Sequence, residues 1–341
     1  MGRILAWFSL GLLMLGSLVG CAPQGTVALS PDGKRVAAIW PIGDEVKLAI
    51  GSQNGSDWRP VADINIDGGL SWSPNGRWLT VQTSNGVRLF DLKLGRFRGS
   101  FGPGSSVPVA WRPDTGQVAY IAHTPDAAGT AVVTYSLADQ RETGRTTIGK
   151  VDPISALWIP RNDGQALLDD RGNVWAVEQG EVRRVTTTGD VVGIGLSADG
   201  QDLVWARKGL SPKQTLLTVW AYHLERRSVR RLPFADRVPG TLAGDGSAPQ
   251  QIRVQWGPGS QRLVLVAQYA SQRSRALAVS ADGRTSRELT TLKGFIDAAW
   301  SADGSRFALM SIEDQVARVA TYAADGTDGQ VVGSKTWRPK R

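Results

Sequence analysis

Leu29-Ser30-Pro31-Asp32-Gly33 decides the fold, because the chain returns to it six more times. Trp72-Ser73-Pro74-Asn75-Gly76, Trp111-Arg112-Pro113-Asp114-Thr115-Gly116 and Trp158-Ile159-Pro160 follow it in the first half. Leu196-Ser197-Ala198-Asp199-Gly200, Trp256-Gly257-Pro258-Gly259 and Trp300-Ser301-Ala302-Asp303-Gly304 complete the series. Successive leading residues lie 43, 39, 47, 38, 60 and 44 residues apart. A period of about 40 residues marks a structure built from equivalent small units. The long interval places an insertion near residues 236–250, a stretch bearing Gly, Pro and Ser.

Each unit has the same plan. An apolar run precedes the turn (Val107 to Trp111, Ile252 to Trp256) and another follows it (Val118 to Ala122, Leu263 to Ala267). Pro-Asp-Gly between two apolar runs is hairpin chemistry, since Pro fixes φ and Gly accepts a positive φ where the turn closes. A third run follows, as in Val87-Arg88-Leu89-Phe90 and Val174-Trp175-Ala176-Val177. The fourth is ragged and carries Arg, as in Glu181-Val182-Arg183-Arg184-Val185. Four antiparallel strands per repeat predict an all-β chain, a β-propeller of four-stranded antiparallel blades. Seven turns favour seven blades, and a six-bladed disc with an irregular appendage is the alternative. Pro212 to Leu232, Gln261 to Ser280 and Ser305 to Asp325 lack internal Gly and Pro and could pass for helices. The repeat register instead splits each into strands.

An apolar or aromatic residue followed by Ser-Pro-Asp-Gly and a strand resembles the repeat of the TolB-like (PD40, WD40-like) β-propellers. Residues 31 to 33 match that turn fully, Asn75 replaces its Asp, and Ala198 and Ala302 replace its Pro. The resemblance covers residues 25 to 341. It implies a propeller that binds a protein partner, but such propellers serve many roles. The family's extra N-terminal domain has no counterpart here, because only four residues separate Cys21 from Thr26.

Residues 1–20 read as an export signal. Arg3 is followed by an uncharged, largely apolar run from Ile4 to Val19, closing on Leu18-Val19-Gly20-Cys21. This resembles the bacterial lipobox, in which the cysteine receives a diacylglycerol, and Cys21 is the only cysteine in the chain. The expected organisation is a signal peptide (1–20), a lipidated tether (21–25) and a propeller domain (26–341). Localisation would be an exported lipoprotein held in the lipid bilayer through Cys21. It would lie on the periplasmic face of the outer membrane in a diderm host, since residue 22 is Ala and not Asp, or at the cell surface in a monoderm one.

The composition excludes several chemistries. One Cys and two His in 341 residues exclude a disulfide framework and make a multi-histidine metal centre or a His-based relay improbable. Neither His123 nor His223 lies in a catalytic motif, and no phosphate-binding loop is present. Asp325-Gly326-Thr327-Asp328-Gly329 lacks the downstream Glu of a calcium loop and falls where the repeat needs a turn. No catalytic residue, cofactor or metal ligand is assigned. Five of the thirteen Trp share the position before the turn, where a ring fills the wedge between blades. Trp40, Trp58, Trp78 and Trp337 fall off that register and are the better candidates for exposed contact. Lys and Arg total 39 against 31 Asp and Glu, a formal +8. The densest cluster, Arg226, Arg227, Arg230 and Arg231, is a candidate contact for an anionic surface. Nucleic acid is not an expected partner of an exported, tethered chain. The sequence therefore points to a non-catalytic, membrane-anchored propeller binding a protein or envelope component as scaffold or accessory factor. Two alternatives remain: an exported hydrolase or lyase acting on a polymer, and an accessory lipoprotein of an envelope sensor.

Overall fold

The structure, a computed structural model, describes residues 26–42, 45–63, 69–83, 85–102, 109–114, 116–123, 129–160, 163–209, 217–234, 249–269, 271–314 and 316–336. The expected signal segment, Cys21, the tether and most of the 236–250 insertion lie outside them, as do Trp337 and residues 338–341. The described residues form seven four-stranded antiparallel sheets, each made of four strands consecutive in sequence. The innermost strands are Val27–Leu29, Leu70–Trp72, Ala110–Trp111, Pro153–Ile159, Val191–Leu196, Gln251–Trp256 and Phe295–Trp300. They open blades 1 to 7 in that order. The chain is a seven-bladed β-propeller, and the six-bladed alternative is excluded.

Local chemistry accounts for the turn that ends four of the seven inner strands. The Ser30 hydroxyl donates to Asp32 Oδ1 at 2.7 Å and accepts from the Arg35 amide at 2.8 Å. Asp32 Oδ1 also accepts from the Lys34 amide at 3.1 Å, and Gly33 supplies φ +69°. Serine thus bridges both ends of the hairpin while the carboxylate satisfies its tip. The same arrangement recurs at Ser73 with Asn75, Ser197 with Asp199 and Ser301 with Asp303. The Ser30 hydrogen bond is the main cause holding the Asp32 carboxyl below its ordinary range. Ser280-Ala281-Asp282-Gly283 repeats the chemistry at the outer hairpin of blade 6, between Arg273–Ser280 and Ser286–Lys293.

Seven apolar clusters hold the blades together, one at each junction. In blade 1, Ala28, Ala37, Leu48 and Ile50 face blade 2, while Val27, Leu29, Val36, Ala38, Trp40 and Ala49 face blade 7. Side chains alternate along a strand, so a blade buried on both faces is apolar at successive positions. That is why the three helix-like runs are strands. Arg262–Gln268 pairs with Arg273–Ser280, Arg306–Glu313 with Val316–Ala323, and Leu217–His223 with Ser228–Arg231.

Trp72, Trp111 and Trp158 are buried at three junctions, and Trp256 and Trp300 are half-buried at two others. The off-register tryptophans correct the sequence reading. Trp40 is only 4% exposed, and it meets Trp58 edge-on with ring centroids 5.2 Å apart. Trp78 is half-buried beneath the Arg77 guanidinium, 4.6 Å from its ring. Trp58 lies between Gly51 of its own blade and Gly333 of blade 7. A Cβ built on either glycine would come within 2.8 Å of Trp58.

The junction between blades 7 and 1 joins the two ends of the ring, and no strand crosses it. Besides its cluster, it has the Asp303 amide on the Pro31 carbonyl at 3.1 Å and the Thr321 hydroxyl on the Gln53 carbonyl at 3.1 Å. Trp58→Ala is expected to cost about 3 kcal/mol in urea-unfolding free energy. Leu94→Ala, at a site 47% exposed, is expected to cost less than about 0.5 kcal/mol.

Candidate functional site

The inner strands of six of the seven blades wall a central cavity of about 470 Å³. Its lining is mainly aromatic and aliphatic at the turn end, with Leu29, Trp72, Trp158, Leu196, Trp256 and Trp300, plus Pro31, Pro74 and Pro258. The repeat places them there, since each Trp or Leu ends its inner strand as the chain turns. Ser71, Ser155, Gln255 and Ser301 add polar groups. Indole hydrogen bonds tie rings to the blade before them: Trp111 Nε1 donates to the Ser71 carbonyl and Trp300 Nε1 to the Gln255 carbonyl, each at 3.2 Å. Trp158 Nε1 donates instead to Asp163 Oδ1 at 3.1 Å.

Arg253 also lines this cavity, near the end opposite the turns. It lies 15% exposed in the inner strand of blade 6 and donates through Nη2 to the Ile296 carbonyl. Its Nη1 is 3.9 Å from Oδ1 of Asp297, which is 1% exposed in the inner strand of blade 7. The other Asp297 oxygen accepts from the Thr26 amide at 2.7 Å and from its hydroxyl at 2.8 Å. The carboxylate therefore bonds the first residue of blade 1 from the last blade. Burial pushes the Asp297 carboxyl above its ordinary value, with Arg253 and Thr26 acting the other way. Burial likewise lowers the Arg253 guanidinium, opposed by Asp297. Neither residue was singled out from sequence. The available signal was a charge inside an apolar inner strand, in Ile252-Arg253-Val254 and Ile296-Asp297-Ala298.

A second hollow, about 520 Å³, lies on the turn face between blades 1 and 2. Arg35, Arg77 and Lys93 line it opposite Asp32. Arg77 reaches the buried carboxylate of Asp91 at 3.4 Å, so part of its charge is compensated.

Of the residues proposed from sequence, Cys21 lies outside the described residues. Arg226 and Arg227 fall in the turn before the outermost strand of blade 5, Ser228–Arg231, which carries Arg230 and Arg231. All four are exposed, and Arg230 Nη2 meets Asp202 Oδ2 at 2.6 Å. His223 accepts the Arg226 amide on Nδ1 at 3.2 Å, a turn contact. Asp325 accepts the Thr327 amide and hydroxyl at 2.9 and 2.6 Å, between the two last strands of blade 7. Asp169 likewise organises the turn of Asp170, Arg171 and Gly172. Among the described residues, no group of three or more His, Cys, Asp or Glu could hold a metal ion, and no helix is long and apolar enough to cross a membrane.

No protein-family model matches the sequence, and no curated protein does. Solved structures do. An oligogalacturonate lyase in complex with manganese superposes with a TM-score of 0.60 at 11% identity, over 84% of this chain and 85% of that one. The β-propeller domain of Myceliophteria thermophila Cps50 (Swd1) gives 0.54 at 13% identity, over 82% and 89%. TolB from Acinetobacter baumannii gives 0.49 at 13%, over 91% and 68%. At these identities the likeness is one of fold. The class is the seven-bladed β-propeller.

The buried carboxylate predicts a pH dependence of definite sign. A folded-state value raised above that of the unfolded chain means Asp297 binds its proton more tightly when folded. Its stabilising contribution is fully present below about pH 3.8 and is lost as pH rises through the folded value. The stability of the wild type relative to Asp297→Asn should therefore fall as the pH is raised above about 3.8. Urea unfolding of both proteins through that rise checks it. At pH 7, Asp297→Ala should cost about 3 to 5 kcal/mol by stranding Arg253, and Arg253→Met/Asp297→Leu should cost less.

Proposed function

We propose that this chain is a non-catalytic, membrane-anchored lipoprotein whose turn face binds a protein or another envelope component. The observation that carries this reading is the mouth of the central cavity. Tryptophans and prolines from several blades surround one hollow, set in turns that hydrogen bonds hold rigid. Rigid aromatic pockets are where partner side chains anchor, because they bury large apolar area at low entropic cost. The charged groups nearest the axis, Arg253 and Asp297, are engaged with Ile296 and Thr26. Protein complexes also occur among the fold neighbours, one being a mitotic checkpoint complex matched at a TM-score of 0.58 and 13% identity.

The anchor fits this geometry. Thr26 precedes the inner strand of blade 1, at the end of the cavity away from the turns. Five residues of chain reach at most about 18 Å, so a lipid on Cys21 would hold that end toward the bilayer and leave the turn face outward. Cys21→Ser should move the protein from the membrane fraction to the soluble fraction. Persistence in the membrane would contradict the anchor. In-cell crosslinking should capture one stoichiometric partner, lost when Pro31 and Pro74 at the mouth are changed together to Glu.

An enzyme reading has two supporting observations. The oligogalacturonate lyase shares the fold, and Arg253 Nη1 and Asp297 Oδ1 face one another without hydrogen-bond partners beside the cavity. Turnover of a uronate polymer, abolished by Arg253→Met in a protein that still folds, would establish it in place of the first.

A further inference from the structure

The wall of the central cavity carries hydrogen-bonding side chains that the fold does not use. Ser71 of blade 2, Ser155 of blade 4 and Gln255 of blade 6 line it, each half-buried. The Ser71 and Gln255 carbonyls accept from Thr80, Trp111 and Trp300, but among the described residues the side chains of all three are without a hydrogen-bond partner. The wall is also electrically neutral. Arg253 is the one charged side chain among the described residues that line it, and its Nη1 faces the Asp297 carboxylate at 3.9 Å. Beside these groups, Trp256 and Trp300 border the same hollow from neighbouring blades, and neither ring is fully covered.

These features select among occupants. A purely apolar anchor would strip water from Ser71, Ser155 and Gln255 without replacing its hydrogen bonds, a cost that every group shut off adds to. An anion would meet no uncompensated cation, and a cation no free carboxylate, so a charged ligand would lose its hydration for little return. A pyranose ring meets both demands. Its C–H faces lie flat against the electron-rich face of an indole, and the hydroxyls around its rim both donate and accept. The cavity volume of about 470 Å³ lies within the range of pockets that enclose small organic ligands.

We propose that the central cavity is a binding site for an uncharged glycan, whose pyranose rings lie against Trp256 and Trp300 and whose hydroxyls bond Ser71, Ser155 and Gln255. The inference rests on the reading that the cavity mouth is where this protein binds, and it names the ligand as the envelope component of that reading. Specificity would come from the polar groups. A sugar that leaves Gln255 or Ser155 unpaired loses more than the one missing bond, because the protein group then stays dry and unsatisfied.

The test titrates the full-length protein, in a sugar-free detergent, with cellopentaose, maltopentaose, mannopentaose and chitopentaose, and with pentagalacturonate as the charged counterpart. Calorimetry and tryptophan fluorescence are followed together. At least one neutral oligosaccharide should bind and quench the fluorescence. Gln255→Leu/Ser155→Ala should weaken that binding by about tenfold or more, through the hydrogen bonds it removes. Gln330→Leu, on the outermost strand of blade 7, should change it by less than about twofold. Binding unchanged in the double variant would put the sugar elsewhere and overturn the proposal. So would a preference for pentagalacturonate, or no binding of any neutral oligosaccharide. In that last case the mouth itself is judged separately, by whether the crosslinked partner is still lost in Pro31→Glu/Pro74→Glu. Should the double variant fail to melt cooperatively, Gln255→Leu alone carries the comparison.

Discussion

A ring of independent blades must be closed, and here closure rests on side chains. Each blade is woven from four consecutive strands, so none is shared between the first and last blades. The junction of blades 7 and 1 must supply by packing and hydrogen bonding what a shared strand would supply by its ladder. It does so at three levels. Near the axis Asp297 receives the Thr26 amide and hydroxyl. In the middle an apolar cluster runs from Val27 and Trp40 to Met310 and Val332. Farther out Trp58 occupies the space left by Gly51 and Gly333. In a closed ring of seven, a change of spacing at this junction must be taken up at the others.

Closure also explains where the chemistry is found. Burying Asp297 has an electrostatic cost that Arg253 and Thr26 offset in part, and Arg253 is the one charged side chain among the described residues that line the cavity. The turn end of the cavity wall is mainly tryptophan, proline and leucine from the ends of the inner strands, with a few serines. Surplus positive charge is displaced to the outermost strands, where water solvates it. The molecule therefore has a mainly apolar hollow on its axis and its excess positive charge on its outermost strands.

The fold was legible because its turn chemistry is local. Ser30, Asp32 and Gly33 need only each other to form their hairpin, so the same residues signal the same turn wherever they stand. Even so, Ser280-Ala281-Asp282-Gly283 escaped the repeat count, because the identical chemistry closes a different hairpin of blade 6. Strands buried on both faces were harder to read, since Ala276-Leu277-Ala278-Val279 shows no alternation to tell it from a helix. The seam was illegible. Thr26 and Asp297 are 271 residues apart, and nothing local marks them as partners. Trp58 read as an exposed ring because the glycines that make room for it lie on two different blades.

The central claim is that the seam between blades 7 and 1 is part of the same cooperative unit as the blades themselves. Native-state hydrogen exchange of the full chain tests it directly. The Thr26 amide, bound by Asp297, and the Asp303 amide, bound by the Pro31 carbonyl, report the seam. If the account holds, both exchange as slowly as amides in the middle of blade 6, such as Leu265, and respond equally to denaturant. Exchange of the two seam amides by an opening much less costly than unfolding of blade 6 would contradict it, and would make the ring an open arc that closes only transiently.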